Sequence, residues 1–296
     1  MEMRNVYEEV DFNKRRSAIV MILFVVFVVG FVWLLGQVFG TDPSIIILAA
    51  VFSIGSALVS YYSGDKIVLS LTNAKPANRQ EHFNFYTSAE NLALATQIPM
   101  PKLYVIESNA MNAFATGRDP QHAVICITTG LMNNLNRSEL EAVLAHEISH
   151  IINYDIRLMT ITAILAGMIA ILSDWAIRMR PRKDSRNTGG ILLIVGVIAL
   201  ILAPISAKLI QLALSRRREY FADAQGSKIT RQPQALIDAL KKLSLSEPLK
   251  NASPATAHLF IVNPFSQSKG LRKNISALFS THPPIEDRIN QLSSMT

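Results

Sequence analysis

The chain has little of what soluble proteins are usually rich in. Of its 296 residues one is a cysteine, 17% are charged, and half are hydrophobic. The lone Cys126 excludes an intramolecular disulfide, and its place in an apolar stretch marks a buried, inert thiol that fits a reducing compartment. So little charge, with a positive mean hydropathy, excludes an ordinary water-soluble hydrolase. No internal repeat or low-complexity tract stands out. The net charge of +7 does not point to nucleic acid, because the basic clusters lie beside apolar runs and lack an aromatic-studded groove.

What is present is long apolar sequence. Residues 18–39 contain only Gln37 as a polar residue, residues 44–62 form a second run, and the tight loop Gly40-Thr41-Asp42-Pro43 separates them. Each run exceeds the roughly 18 residues needed to cross a bilayer. A second run following so closely is unlike a cleavable signal peptide, so a retained helical hairpin is expected. Arg4, Lys14, Arg15 and Arg16 flank the first run and the loop carries no Lys or Arg, which places the ends of the hairpin in the cytoplasm.

Two more apolar segments follow, 158–176 and 189–207 with a tail through Leu214, where Pro204 can introduce a kink. The loop between them, 177–188, holds Arg178, Arg180, Arg182, Lys183 and Arg186, against the positive-inside tendency if both segments cross. Two crossings are expected; the alternative is none, with the basic loop resting on anionic cytoplasmic headgroups.

His146-Glu147-Ile148-Ser149-His150 carries the chemistry. Histidines four apart are separated by about 40° around a helix and can reach one metal ion from the same face. Glu147 beside them can face an open coordination position, take a proton from water and return it to a leaving amine. Asn136 or Ser138 can cap this helix, with Glu139 and Glu141 in its early turns, and no proline or glycine interrupts from Asn136 to Ala166. The same helix is therefore expected to continue into the third apolar run, with the metal roughly 12 Å above the lipid if it is straight and upright.

Arg216-Arg217-Arg218-Glu219-Tyr220-Phe221-Ala222-Asp223 follows the fourth run. Glu219 and Asp223 share a helical face, so Glu219 is expected as the third metal ligand and Asp223 as the acceptor of a ligand histidine's second ring proton. The plainer reading is a solvated pair of acids balancing three arginines. Counting eleven helical residues from Lys208 puts Glu219 about 17 Å above the membrane, close to the first estimate.

Together with Asn153, Asp155 and the late Thr281-His282-Pro283-Pro284, these segments resemble the HtpX-type membrane zinc metallopeptidases, relatives of the CAAX prenyl proteases. The resemblance runs from about Ile98 to Leu292. It implies one zinc ion held by positions matching His146, His150 and Glu219, Glu147 as catalytic base, and Asp223 supporting a histidine. It also implies a substrate-facing edge strand at residues 112–117 and a histidine, His282, that helps stabilise the tetrahedral intermediate. Asn112 and His282 could each donate to a developing oxyanion; Asn112 as a turn residue and His282 as a loop anchor before two prolines remain open. The implied setting is the bacterial inner membrane with the active site on the cytoplasmic side, and the implied partners are polypeptide substrates, among them damaged membrane proteins, and the lipid bilayer.

The expected fold is a mainly α membrane protein: four apolar helices and a cytoplasmic α+β zincin-like catalytic domain with a small β-sheet. Residues 79–97 read as a helix, 103–106, 113–116 and 123–128 as strands, 234–245 and 284–292 as helices, and 248–280 as a partly irregular, lid-like stretch. The expected organisation is 1–62 for the N-terminal segment and hairpin, 63–157 for the first catalytic part, 158–214 for a second hairpin and 215–296 for the remainder. Alternatives are a CAAX-type processing protease and a non-catalytic scaffold or transporter with a structural zinc. His82, His122 and His258 are scattered and fit structural or exposed roles. The sequence does not set the oligomeric state.

Overall fold

A segment in lipid must satisfy its main-chain groups internally, and the first two apolar runs do so as helices. The computed structural model describes residues 6–39, 42, 44–178, 216–249, 253, 256–264 and 283–295. Helix α1 spans Val6–Phe39 and α2 spans Ser44–Leu71, both long and apolar enough to cross a membrane. Ile22, Leu23 and Val26 on α1, and Ile47, Leu48, Val51 and Phe52 on α2, are exposed large apolar side chains suited to lipid. The protein is mainly helical with a small sheet.

The sheet follows. Strands β1 (Lys75–Pro76), β2 (Lys102–Ile106), β3 (Ala113–Thr116) and β4 (Val124–Thr128) lie in the order β1-β2-β4-β3. β2 and β4 are parallel, Lys102 opposite Val124 and Ile106 opposite Thr128. β3 runs antiparallel to β4, Ala113 opposite Ile127, and forms one edge. β4 is buried on both faces, which is why Val124-Ile125-Cys126-Ile127 reads as an unbroken apolar run. One face packs with α3 (Phe83–Thr96) and α5 (Arg137–Ile152), joining Val105, Ile125 and Ile127 to Phe85, Val143, Leu144 and Ile148. The other gathers Phe114, Cys126, Val68, Met159 and Phe260. A short α4 (Thr129–Asn134) precedes α5.

α5 starts with a capping box: the Asn136 side chain accepts from Glu139 N–H at 2.9 Å, and Glu139 accepts from Asn136 N–H at 2.8 Å. From Ala142 to Ile151 every residue is buried, so the helix is held by packing on all sides. Truncating Ile148, fully buried, would cost about 2–5 kcal/mol.

The expected straight passage from the metal string into the third run does not occur. α5 ends at Ile152, α6 (Asp155–Arg178) begins after two residues, and the two axes differ by 83°. Tyr154 takes a left-handed backbone, φ 59°, which costs an L-residue about 1–2 kcal/mol. It is gripped by Lys14, 4.5 Å from its ring centre, and Arg157, 5.0 Å from it. The metal string therefore does not rise from the third run on a straight helix.

α6 packs along the hairpin. Leu158, Ile161, Leu165 and Ile169 meet Val20 and Phe24 of α1. On α2 the buried positions Ser53, Ala57, Ser60, Gly64 and Val68 form a narrow stripe of small residues. A Cβ on Gly64 would stand 2.6 Å from the Thr160 methyl, so glycine permits the close crossing of α2 and α6. Helices α7 (Arg216–Thr230), α8 (Pro233–Ser244) and α9 (Ile285–Ser293), with two short 3-10 turns at Pro120–His122 and Ala257–Leu259, complete the described elements. Four apolar helices were expected; two are seen as membrane-capable, α6 matches the third run, and the fourth run lies outside the described residues, as does the basic loop beyond Arg178.

Candidate active site

α5 sets His146 and His150 one turn apart, rings nearly perpendicular and their Nε2 atoms 3.2 Å from each other. α7 delivers Glu219, whose Oε2 lies 3.8 Å from His146 Nε2 and Oε1 3.7 Å from His150 Nε2. The approach depends on Gly226. A Cβ there would stand 2.9 Å from the main-chain nitrogen of His146 and 3.1 Å from its Cα, so a side chain would push α7 off α5. Glu219, Ala222, Asp223 and Gly226 form the single face of α7 that meets α5, all buried.

Each histidine has a carboxylate behind it. His146 Nδ1 lies 2.9 Å from Asp223 Oδ1, and His150 Nδ1 lies 3.0 Å from Asp155 Oδ2. Arg288 of α9 grips Asp223 with two bonds, 2.6 and 2.8 Å, and donates to the Ile261 carbonyl at 3.0 Å. Arg218 lies 3.6 Å from Asp155. Burial works against Asp223's charge, but Arg288 outweighs it and holds the carboxyl below its usual range. Burial also lowers the pKa of His146.

With a carboxylate at each Nδ1, both rings carry their proton there and turn Nε2 lone pairs to a common point. Two acceptor nitrogens and a carboxylate facing one another repel unless a positive charge joins them. A proton or a metal ion can do so. Burial disfavours it, but the hydrogen bond to Asp155 and the charge of Glu219 hold His150 at about 9. The donor atoms lie within 4.8 Å of one another and could hold a metal ion. Tetrahedral zinc, with bonds of roughly 2.0–2.2 Å, places its ligand atoms about 3.3–3.6 Å apart, which these spacings approach.

Glu147 is buried beside the cluster. Burial lifts its carboxyl to about 7, against the opposing pull of His150, and the Ala115 N–H of β3 donates to it. A carboxyl titrating near neutrality suits proton transfer in both directions. Ala113 and Ala115 thus turn main-chain groups away from β4, and the Ala113 carbonyl accepts from Ile261 N–H at 2.9 Å. Asn112, at the start of this edge, donates to the Val262 carbonyl at 2.9 Å, and its side-chain oxygen accepts from Ala113 N–H at 3.1 Å. Here its carboxamide ties Val262 to the edge strand.

The structure thus gathers His146, Glu147, His150, Glu219 and Asp223, and sets Asn112 on the neighbouring strand edge. His282 lies outside the described residues. Sequence reasoning gave no role to Asp155, although it was noted in the string after His150, and missed Arg288. The signal for Arg288 was available: it shares one face of α9 with Ile285, Ile289 and Leu292, and an arginine on an apolar face needs a buried anion. His258, buried with Nε2 3.2 Å from the Met159 carbonyl, and His122, bound to Asp119, are structural.

Bilayer-capable helices built into the same body as a His-His-Glu cluster define the class: a membrane metalloprotease. Residues 80–296 match the model of Peptidase family M48, and the chain belongs to that family. It is 42% identical to a "Protease HtpX homolog" of Thermoanaerobacter pseudethanolicus and 43% identical to one of Caldanaerobacter subterraneus subsp. tengcongensis, over the whole of each chain. One from Ligilactobacillus salivarius is 42% identical over 98% of this chain and 99% of its own. Among solved structures, S. mikatae Ste24p superposes with a TM-score of 0.51 at 22% identity, over 93% of this chain and 65% of that one, a likeness of fold.

Proposed function

We propose that the protein is a zinc endopeptidase of the bacterial inner membrane that cleaves the cytosolic parts of membrane proteins, misfolded ones above all. His146, His150 and Glu219 hold one zinc ion, Glu147 is the general base, and Asp223 orients His146. Zinc, when bound, supplies a Lewis acid that polarises the scissile carbonyl and makes water nucleophilic at neutral pH. Glu147 takes the proton of the attacking water and passes it to the departing nitrogen. Substrate lies along β3 as an added strand, held by main-chain bonds that impose little sequence preference; this requires Ile261 to give up the Ala113 carbonyl. His282 and Asn112 donate to the oxyanion; for Asn112 this requires Val262 to leave its amide.

The observation that carries this reading is the convergence of three metal donors from α5 and α7 with a glutamate that also contacts the edge strand. Among the described residues the cluster contains three residues rather than four, which favours catalysis over a structural zinc. Full-length similarity to HtpX proteases favours endopeptidase over CAAX-type processing. α6 packs beside α1 and α2, which supports two crossings by the third and fourth runs, with 1–62 and 158–214 as membrane parts and 63–157 and 215–296 as the catalytic domain. In detergent, Glu147→Gln should retain zinc and lose cleavage of an unfolded membrane substrate, while His146→Ala loses both. Unchanged cleavage by Glu147→Gln would refute the mechanism, and preference for a prenylated peptide would favour the processing alternative.

A further inference from the structure

Asn13 stands on α1 at the polar foot of a membrane helix, between Phe12 and Lys14, where an exposed side chain is the ordinary expectation. It is instead fully buried. Both of its amide protons are engaged: Nδ2 donates to Asp155 Oδ1 at 2.7 Å and to the Asn153 carbonyl at 2.9 Å. Its oxygen lies 3.4 Å from a donor nitrogen of Arg218. Ser17 Oγ donates to the Asn13 carbonyl at 2.8 Å, and Lys14 lies over the ring of Tyr154. One side chain of the first membrane helix thus joins the end of α5, the start of α6 and the start of α7.

The acceptor that matters is Asp155. Its other oxygen faces His150 Nδ1 at 3.0 Å, so Asn13 determines which way that carboxylate turns. We propose that Asn13 is a positioning residue of the metal centre: through Asp155 it fixes the ring of His150, and so couples the N-terminal membrane helix to metal retention. The inference rests on the zinc reading above. Partners that orient a ligand histidine typically change metal affinity by about 10–100-fold when lost. The chemistry requires a neutral donor. An aspartate of the same shape would lose both donated bonds and set a second negative charge against Asp155.

The test uses the full-length protein in detergent, loaded with zinc. Zinc release to a chromogenic chelator is followed well below the unfolding temperature, and the ligand-field spectrum is recorded for cobalt(II)-loaded protein. Asn13→Ala should release zinc at least about tenfold faster and shift the cobalt bands. Asn13→Asp, which preserves shape, should be as fast or faster. Val20→Ala, which loosens the packing of α1 against Leu158 and Ile161 without touching the hydrogen bonds, should release zinc at the wild-type rate. Release from Asn13→Ala within twofold of wild type, a tolerated Asn13→Asp, or equal acceleration by Val20→Ala would each overturn the inference. Failure of the wild type to hold zinc would instead overturn the zinc reading, so the two failures are distinguishable.

Discussion

The two histidines of the candidate metal cluster are chemically alike and one helical turn apart, yet they are supported from opposite ends of the chain. His146 leans on Asp223, which is clamped by two short bonds from Arg288 near the C-terminus. His150 leans on Asp155, which is held by one amide proton of Asn13 and a looser 3.6 Å contact with Arg218. The first support is a bidentate ion pair from α9, and the second is a neutral hydrogen bond from α1. Loss of an ionic clamp should cost folding as well as metal, whereas loss of a neutral one should cost mainly metal.

Three measurements break or sharpen that contrast. The largest effect belongs to Arg288→Ala, which leaves Asp223 charged, buried and unpaired; about 3–5 kcal/mol of stability should be lost, read by denaturant unfolding in detergent. Arg288→Lys should rescue little, because an ammonium cannot reproduce the forked contact. On the other side Asn13→Ala, which removes the neutral donor and leaves every charge in place, should weaken zinc binding by about 10–100-fold while shifting the unfolding midpoint far less. Equal effects on stability would erase the distinction. The third measurement is pH dependence. His150 is raised to about 9 in the metal-free protein, above its ordinary 6.5. Its contribution to metal-free stability is therefore complete below about 6.5 and lost as pH rises through 9. Zinc must displace that proton, so apparent affinity should fall by about tenfold per unit below pH 9, with close to one proton released per zinc near pH 8 by calorimetry in buffers of different ionisation enthalpy.

Local features of the sequence were legible because local physics determines them. The Asn136 cap, the histidine pair, the Glu219–Asp223 face and the three strands near 103–128 all follow from spacing and turn chemistry within a few residues. The long-range supports did not, because each depends on two segments meeting. Nothing near Asn13 signals that position 155 lies against it, and a polar residue beside Lys14 and Arg15 reads as solvated. The bend after Ile152 was missed for a related reason. It has no proline or glycine, and the left-handed tyrosine at the bend is held by Lys14 and Arg157 over its ring, contacts that only the folded chain supplies. Glu219 could be proposed from its residue type, but its arrival rests on Gly226, whose lack of a side chain carries meaning only once α5 lies against it.

The 83° turn at Tyr154 sets α5 across α6, like a shelf on a bracket, while α6 itself runs along α1 and α2. The histidine pair is thereby carried sideways from the bundle: lengthening α5 would move it outward and leave its level along α6 unchanged.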